Sequence, residues 1–93
     1  MGLLNGIARW FERRRALTGL CKEDARKLLQ RNPVTAYYDA QRLAARARVS
    51  GDAQSFMHWS RVATEVARTS ANPMDLDVVK AIVDEEERRA GGK

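Results

Sequence analysis

Apolar residues recur at intervals of three and four along nearly the whole chain, and nowhere do β-branched residues alternate with polar ones over a strand's length. That periodicity predicts helices and no sheet. The clearest stretch follows Ala53: Phe56, Trp59, Val62, Ala63, Val66 and Ala67 fall within one arc, while His58, Arg61, Glu65 and Arg68 lie opposite. Such a stripe marks a helix that carries the core on one side.

About five helices are expected. The first runs from about Leu3 to Leu17 and should stop at Gly19, where a glycine can adopt the left-handed conformation of a helix C-terminus. The second, from about Lys22 to Gln30, places Cys21, Ala25, Leu28 and Leu29 on one face. Asn32-Pro33 ends it and opens the third, because asparagine caps free amides and a proline at the first helical position gives up only an amide that has no partner there.

The third helix, Pro33 to about Val49, has two apolar strips. Ala36, Ala40, Leu43, Ala44 and Ala47 form one; Val34, Tyr38, Ala45 and Val49 form the other, with Asp39, Arg42 and Arg46 between them. A helix apolar on two sides is a central helix. The Ser50-Gly51-Asp52 sequence should turn the chain into the fourth helix, Gly51 ending one helix and Asp52 capping the next, which gives an antiparallel hairpin over about residues 33–70. Asn72-Pro73 repeats the cap signal for the fifth, where Leu76, Val79, Ile82 and Val83 should face inward. Arg88 and Arg89 suit its C-terminal end, and Asp84–Arg88 and Glu85–Arg89 are i,i+4 pairs.

The Asn-Pro pairs do not signal duplication, since VTAYYDAQRLA and MDLDVVKAIVD share only helicity. Leu43, Ala44, Gly51, Asp52 and Ala63 resemble a tetratricopeptide-type hairpin. Phe56 departs from that pattern, and such solenoids stack several units where one fits here, so the hairpin is read as convergent.

The 93 residues suffice for one domain, taken as 1–90 with residues 91–93 as a tail. The fold class expected is a compact all-α bundle. A single cysteine excludes an internal disulfide, and no apolar run is long enough to span a bilayer, so a cytoplasmic location is the expectation.

Charge sharpens the functional reading. The net +5 is concentrated at the start: residues 1–31 hold eight Lys/Arg against three acids, whereas residues 72–93 hold four against six. An acidic partner surface is what this asymmetry favours. Residues 1–18 combine an apolar arc of Leu3, Leu4, Ile7, Ala8, Trp10 and Phe11 with Arg9 and Arg13 opposite and Arg14 and Arg15 at its edges.

The expected function is that of a non-enzymatic regulator or adaptor. Its partner, a protein with an acidic surface, would be met through Trp10 and Phe11 as anchors and Arg9, Arg13, Arg14, Arg15, Arg26 and Lys27 as a charged rim. Nucleic acid is the alternative, with Thr35, Tyr38, Gln41 and Arg42 as base readers of a helix-turn-helix. An anionic membrane surface is the next, and self-association stays open.

Catalytic chemistry has little to work with. The one histidine, His58, lies on the polar side of its helix, and Cys21 is far from it in sequence. No zinc-ligand spacing, calcium loop or phosphate-binding glycine motif occurs, so no metal or cofactor is expected.

Overall fold

The computed structural model describes residues 9, 19–72 and 74–91. These residues form four helices and no strand: α1 over 19–31, α2 over Ala36–Val49, α3 over Ala53–Thr69 and α4 over Leu76–Gly91. The all-helical class is as expected, with four helices in place of about five.

Gly19 does not take the left-handed conformation expected of it. Gly19 is itself helical, and Gly51 is the one described glycine with a positive φ, at 78°. A glycine inside a helix costs only about 1 kcal/mol relative to alanine. Two turns of packing that follow, through Cys21 and Ala25, outweigh it. The expected first helix, Leu3 to Leu17, lies outside the described residues apart from Arg9.

α2 is central, as its two strips predict. One strip meets α1 and α3: Ala36 and Ala40 cluster with Cys21 and Ala25 of α1 and with Val62, Ala63 and Val66 of α3, and Leu28, Leu29, Tyr37 and Trp59 pack around them. Because the α2 contribution is alanine, the neighbouring helices approach its backbone closely. The largest side chains that become wholly buried are only valines, Val62 and Val66.

The other flank of α2 meets α4. Ala45 is buried there and shares a small crevice with Val83, while no Cα of α3 comes within 8 Å of one in α4. α3 and α4 are therefore joined through α2.

The α2–α3 turn forms as expected. The Asp52 carboxylate accepts from the Ser55 amide at 3.0 Å and from its hydroxyl at 2.7 Å, and Gly51 carries the left-handed backbone. Asn32 also caps: its Oδ1 accepts from the amides of Val34 at 3.0 Å and Thr35 at 3.4 Å, one turn ahead of regular α2.

Asn72 behaves differently from its expectation. Its side-chain amide donates to the Pro33 carbonyl at 3.1 Å, and Asp75 caps α4 by accepting from the Asp77 amide at 2.9 Å. The Tyr38 hydroxyl accepts from the Asp75 amide at 2.9 Å, so the start of α4 is pinned to the start of α2. Pro73 lies outside the described residues.

Two apolar side chains expected to face inward do not. Leu76 is 68% exposed and Val34 65%. In α4 the buried line runs through Ile82 and Glu86, one turn apart, and this rotation leaves Leu76 at its edge. α4 continues through Ala90 and Gly91, which extends it into the expected tail.

The two glycines give opposite expectations for one substitution. Neither would meet another atom within 4 Å of an added Cβ. Gly19→Ala should stabilise the fold by about 0.5–1 kcal/mol through helix propensity, and Gly51→Ala should destabilise it by about 1–2 kcal/mol through its positive φ. Urea unfolding of the two variants checks this; a destabilising Gly19→Ala would restore the helix stop.

Candidate functional site

Three features of the described surface can carry function: the outer face of α1, an arginine-lined cleft between α1 and α2, and a cluster of titratable side chains between α1 and α3.

α1 is amphipathic in the literal sense. Its inner face supplies Cys21, Ala25, Leu28 and Leu29 to the core, and its outer face carries Lys22, Arg26, Lys27 and Arg31, all exposed. Lys27 forms an exposed i,i+4 pair with Glu23 at 3.7 Å. Arg26 and Arg31 meet no carboxylate among the described residues. Arg26, Lys27 and Arg9, three of the expected rim residues, are exposed. Trp10, Phe11, Arg13, Arg14 and Arg15 lie outside the described residues.

Arg31 also borders the cleft, of about 430 Å³, whose walls include Leu28, Asp39, Arg42 and Arg46. Two of these arginines are engaged. Arg42 donates to Glu86 at 2.8 Å and to Glu85 at 3.1 Å, and Arg46 Nε donates to the other oxygen of Glu86 at 2.8 Å. Glu86 is 3% exposed, a buried carboxylate with both oxygens held.

Its pKa reflects a contest. Burial pushes it up, and the hydrogen bonds from Arg46 and Arg42 bring it below the ordinary glutamate value. Glu85 is also lowered, by its hydrogen bond from Arg42 and that guanidinium's charge.

Sequence reasoning gave Glu86 no role beyond membership of the acidic Asp84–Glu87 run on a helix. The available signal was its spacing from Ile82 and Val79 on one face, opposite two arginines four residues apart on α2.

The residues drawn as DNA readers have structural duties. Thr35 donates to Asp39 at 3.0 Å, Gln41 donates to the Tyr37 hydroxyl at 3.0 Å, Tyr38 holds Asp75, and Arg42 holds α4. α2 is packed on both flanks, against α1 and α3 on one side and α4 on the other, which leaves Arg46 and Arg48 as its exposed residues.

The third feature was missed outright. Packing of α3 against α1 brings His58 to Cys21, with Nδ1 3.6 Å from the thiol sulfur. The other ring nitrogen, Nε2, is 2.7 Å from Asp24 Oδ2. An ionised carboxylate can only accept, so Nε2 donates to it, and in the neutral imidazole Nδ1 then turns its lone pair toward the thiol. The ring is set edge-on to Trp59, with centroids 4.9 Å apart.

Cys21 is buried, and burial raises its pKa; the nearby positive charge of Arg61 acts in the opposite direction, and Asp24 and Glu65 reinforce the rise. Beside it opens a cleft lined by Leu20, Ala53, Met57 and Arg61 as well as the cluster itself. The positions 21 and 24 of one helix and 58 of another can be paired only once the relative register of the helices is known.

Among the described residues no three His, Cys, Asp or Glu side chains are placed to hold a metal ion, and no helix is long and apolar enough to cross a membrane. No family model matches the sequence, and neither a curated protein nor a solved structure is significantly similar to it.

The Glu86 contacts fix a pH dependence. Both Glu85 and Glu86 are lowered in the folded state, so the stability they contribute is complete above the unfolded glutamate value of about 4.3 and is lost as pH falls through the folded values. Because α4 packs on α2 and makes no contact with α3, acid should loosen α4 first. An NMR titration should show the two carboxyls protonating below the ordinary range, with α4 amide signals moving alongside and Glu86→Gln abolishing that step.

Proposed function

We propose that the protein is a non-enzymatic adaptor or regulator that binds an acidic surface of another protein through the outer face of α1. The observation that supports this most directly is the division of labour on α1. Its apolar side is consumed by the core, which fixes the helix in place, and Lys22, Arg26, Lys27 and Arg31 are left facing solvent with one exposed ion pair among them. A rigid row of cations steers an acidic partner and fixes its register.

Arg9, Arg13, Arg14 and Arg15 would extend this row toward the N-terminus, with Trp10 and Phe11 as anchors. Protein is favoured over nucleic acid because Thr35, Tyr38, Gln41 and Arg42 are spent on internal hydrogen bonds. Phosphate contacts without base readers would give only non-specific binding.

The experiment is a pull-down from the protein's own cell extract, followed by titration of the recovered partner. Arg26→Glu, Lys27→Glu and Arg31→Glu together should weaken that binding by about tenfold or more, chiefly through slower association. Recovery that nuclease abolishes would replace this reading with the nucleic-acid one. Flotation with anionic vesicles in place of protein capture would replace it with the membrane one, and an unchanged affinity in the triple variant would remove the α1 face from the interaction.

A further inference from the structure

Cys21, His58 and Asp24 form a chain of contacts that packing alone does not require. A buried thiol normally sits among apolar groups as a small inert hydrophobe. Here its sulfur faces the unprotonated nitrogen of an imidazole at 3.6 Å, and that imidazole is held from behind by a carboxylate at 2.7 Å. Nucleophile, base and orienting group therefore stand in the order that activates a thiol.

The sulfur also borders an open cleft with apolar walls, Leu20, Ala53 and Met57, and with one cation, Arg61. Leu20 and Met57 are half-exposed, at 51% and 48%, so the cleft is reachable from solvent.

The chemistry of the surroundings selects among thiol reactions. Acyl transfer needs N–H donors aimed at a developing oxyanion. The amides of Gln54 and Ser55, at the opening of α3 on the cleft wall, are turned to the Asp52 carboxylate instead. Disulfide exchange needs no such donors. Its transition state spreads charge along three sulfur atoms, and it asks for an attacking thiol, a base and room for the two arms.

We propose that Cys21 is a thiol–disulfide exchange site for small disulfides that carry an anionic arm, with His58 as its base, Asp24 as the positioning residue and Arg61 receiving the anion. The thiol proton passes to His58 Nδ1 as the sulfur attacks one sulfur of the disulfide. A bond forms between Cys21 Sγ and that sulfur, the original S–S bond breaks, and the departing thiolate takes the proton back from His58. Cys21 is oxidised to a mixed disulfide, and one half of the reagent leaves as a thiol.

With one cysteine in the chain, nothing internal can displace the new arm. The product is a stoichiometric cap that an external thiol reverses. Proton transfer during attack, and not a preformed thiolate, is the route here because burial holds the thiol in its protonated form.

The full-length protein is tested with two disulfides: the bis(nitrobenzoate) disulfide, which is anionic, and cystamine, which is cationic. Thiol release and intact mass are followed across pH. Rates should rise in proportion to reagent concentration, and the anionic reagent should gain relative to cystamine when both are normalised to an unstructured cysteine peptide. His58→Gln should slow the reaction by about tenfold or more. Asp24→Asn should fall between the two.

Arg61→Gln alters an exposed side chain and should erase the preference for the anionic reagent even if the His58 variant fails to fold. Two results would overturn the proposal: a rate independent of reagent concentration, meaning that the thiol is reached only by unfolding, or a preference between reagents that Arg61→Gln leaves unchanged.

Discussion

Everything in this fold depends on the thinness of α2. Five alanines of that helix are buried, and each contributes a methyl group where a leucine would hold a neighbouring helix further off. Close approach of backbones lets a chain with valines as its largest fully buried side chains still close a core. It also lets α2 carry partners on both flanks. A larger residue at Ala36 or Ala40 would press on α1 and α3 together, since both pack against the same strip.

The two flanks are held by different forces, and that difference sets what each can do. Between α1, α2 and α3 the centre of the contact is apolar, with the Asp24–His58 pair beside it. Between α2 and α4 the centre of the contact is a carboxylate, Glu86, gripped by Arg42 and Arg46, with Ile82 one turn away and Tyr38 fastening the helix start. A buried charge adds little net stability but is costly to leave without its partners. α4 is therefore fixed in register more than it is fixed in strength, and it belongs to the low-stability end of the structure.

The α2–α3 hairpin was legible because its signals are local: Gly51 and Asp52 each have one role that their chemistry favours, and both roles are taken. Gly19 was ambiguous in principle. Glycine both ends helices and is tolerated inside them, and the choice was made by Cys21 and Ala25 packing two turns on. Asn72 shows a similar limit, because an amide that can cap its own helix can equally donate to a distant carbonyl, here that of Pro33. Glu86 and the Cys21–His58–Asp24 cluster were illegible for one shared reason: pairs 40 and 37 residues apart depend on how helices are set against each other, which periodicity within a helix does not record.

α1 brings these threads to one place. On α1 the inner face is buried in the core and the outer face carries Lys22, Arg26, Lys27 and Arg31, all exposed. Core packing fixes the orientation of that outer face, so a partner binding it as proposed would not have to order the helix first. The same packing presses Cys21 against His58, with Leu20 beside it at the cleft. Leu20 and Met57 line the cleft at Cys21, and Lys22, Arg26, Lys27 and Arg31 lie exposed on the same helix as that thiol. If both proposals hold, a cap on Cys21 bearing negative charge would sit on the helix whose cations draw the acidic partner, and would offset them.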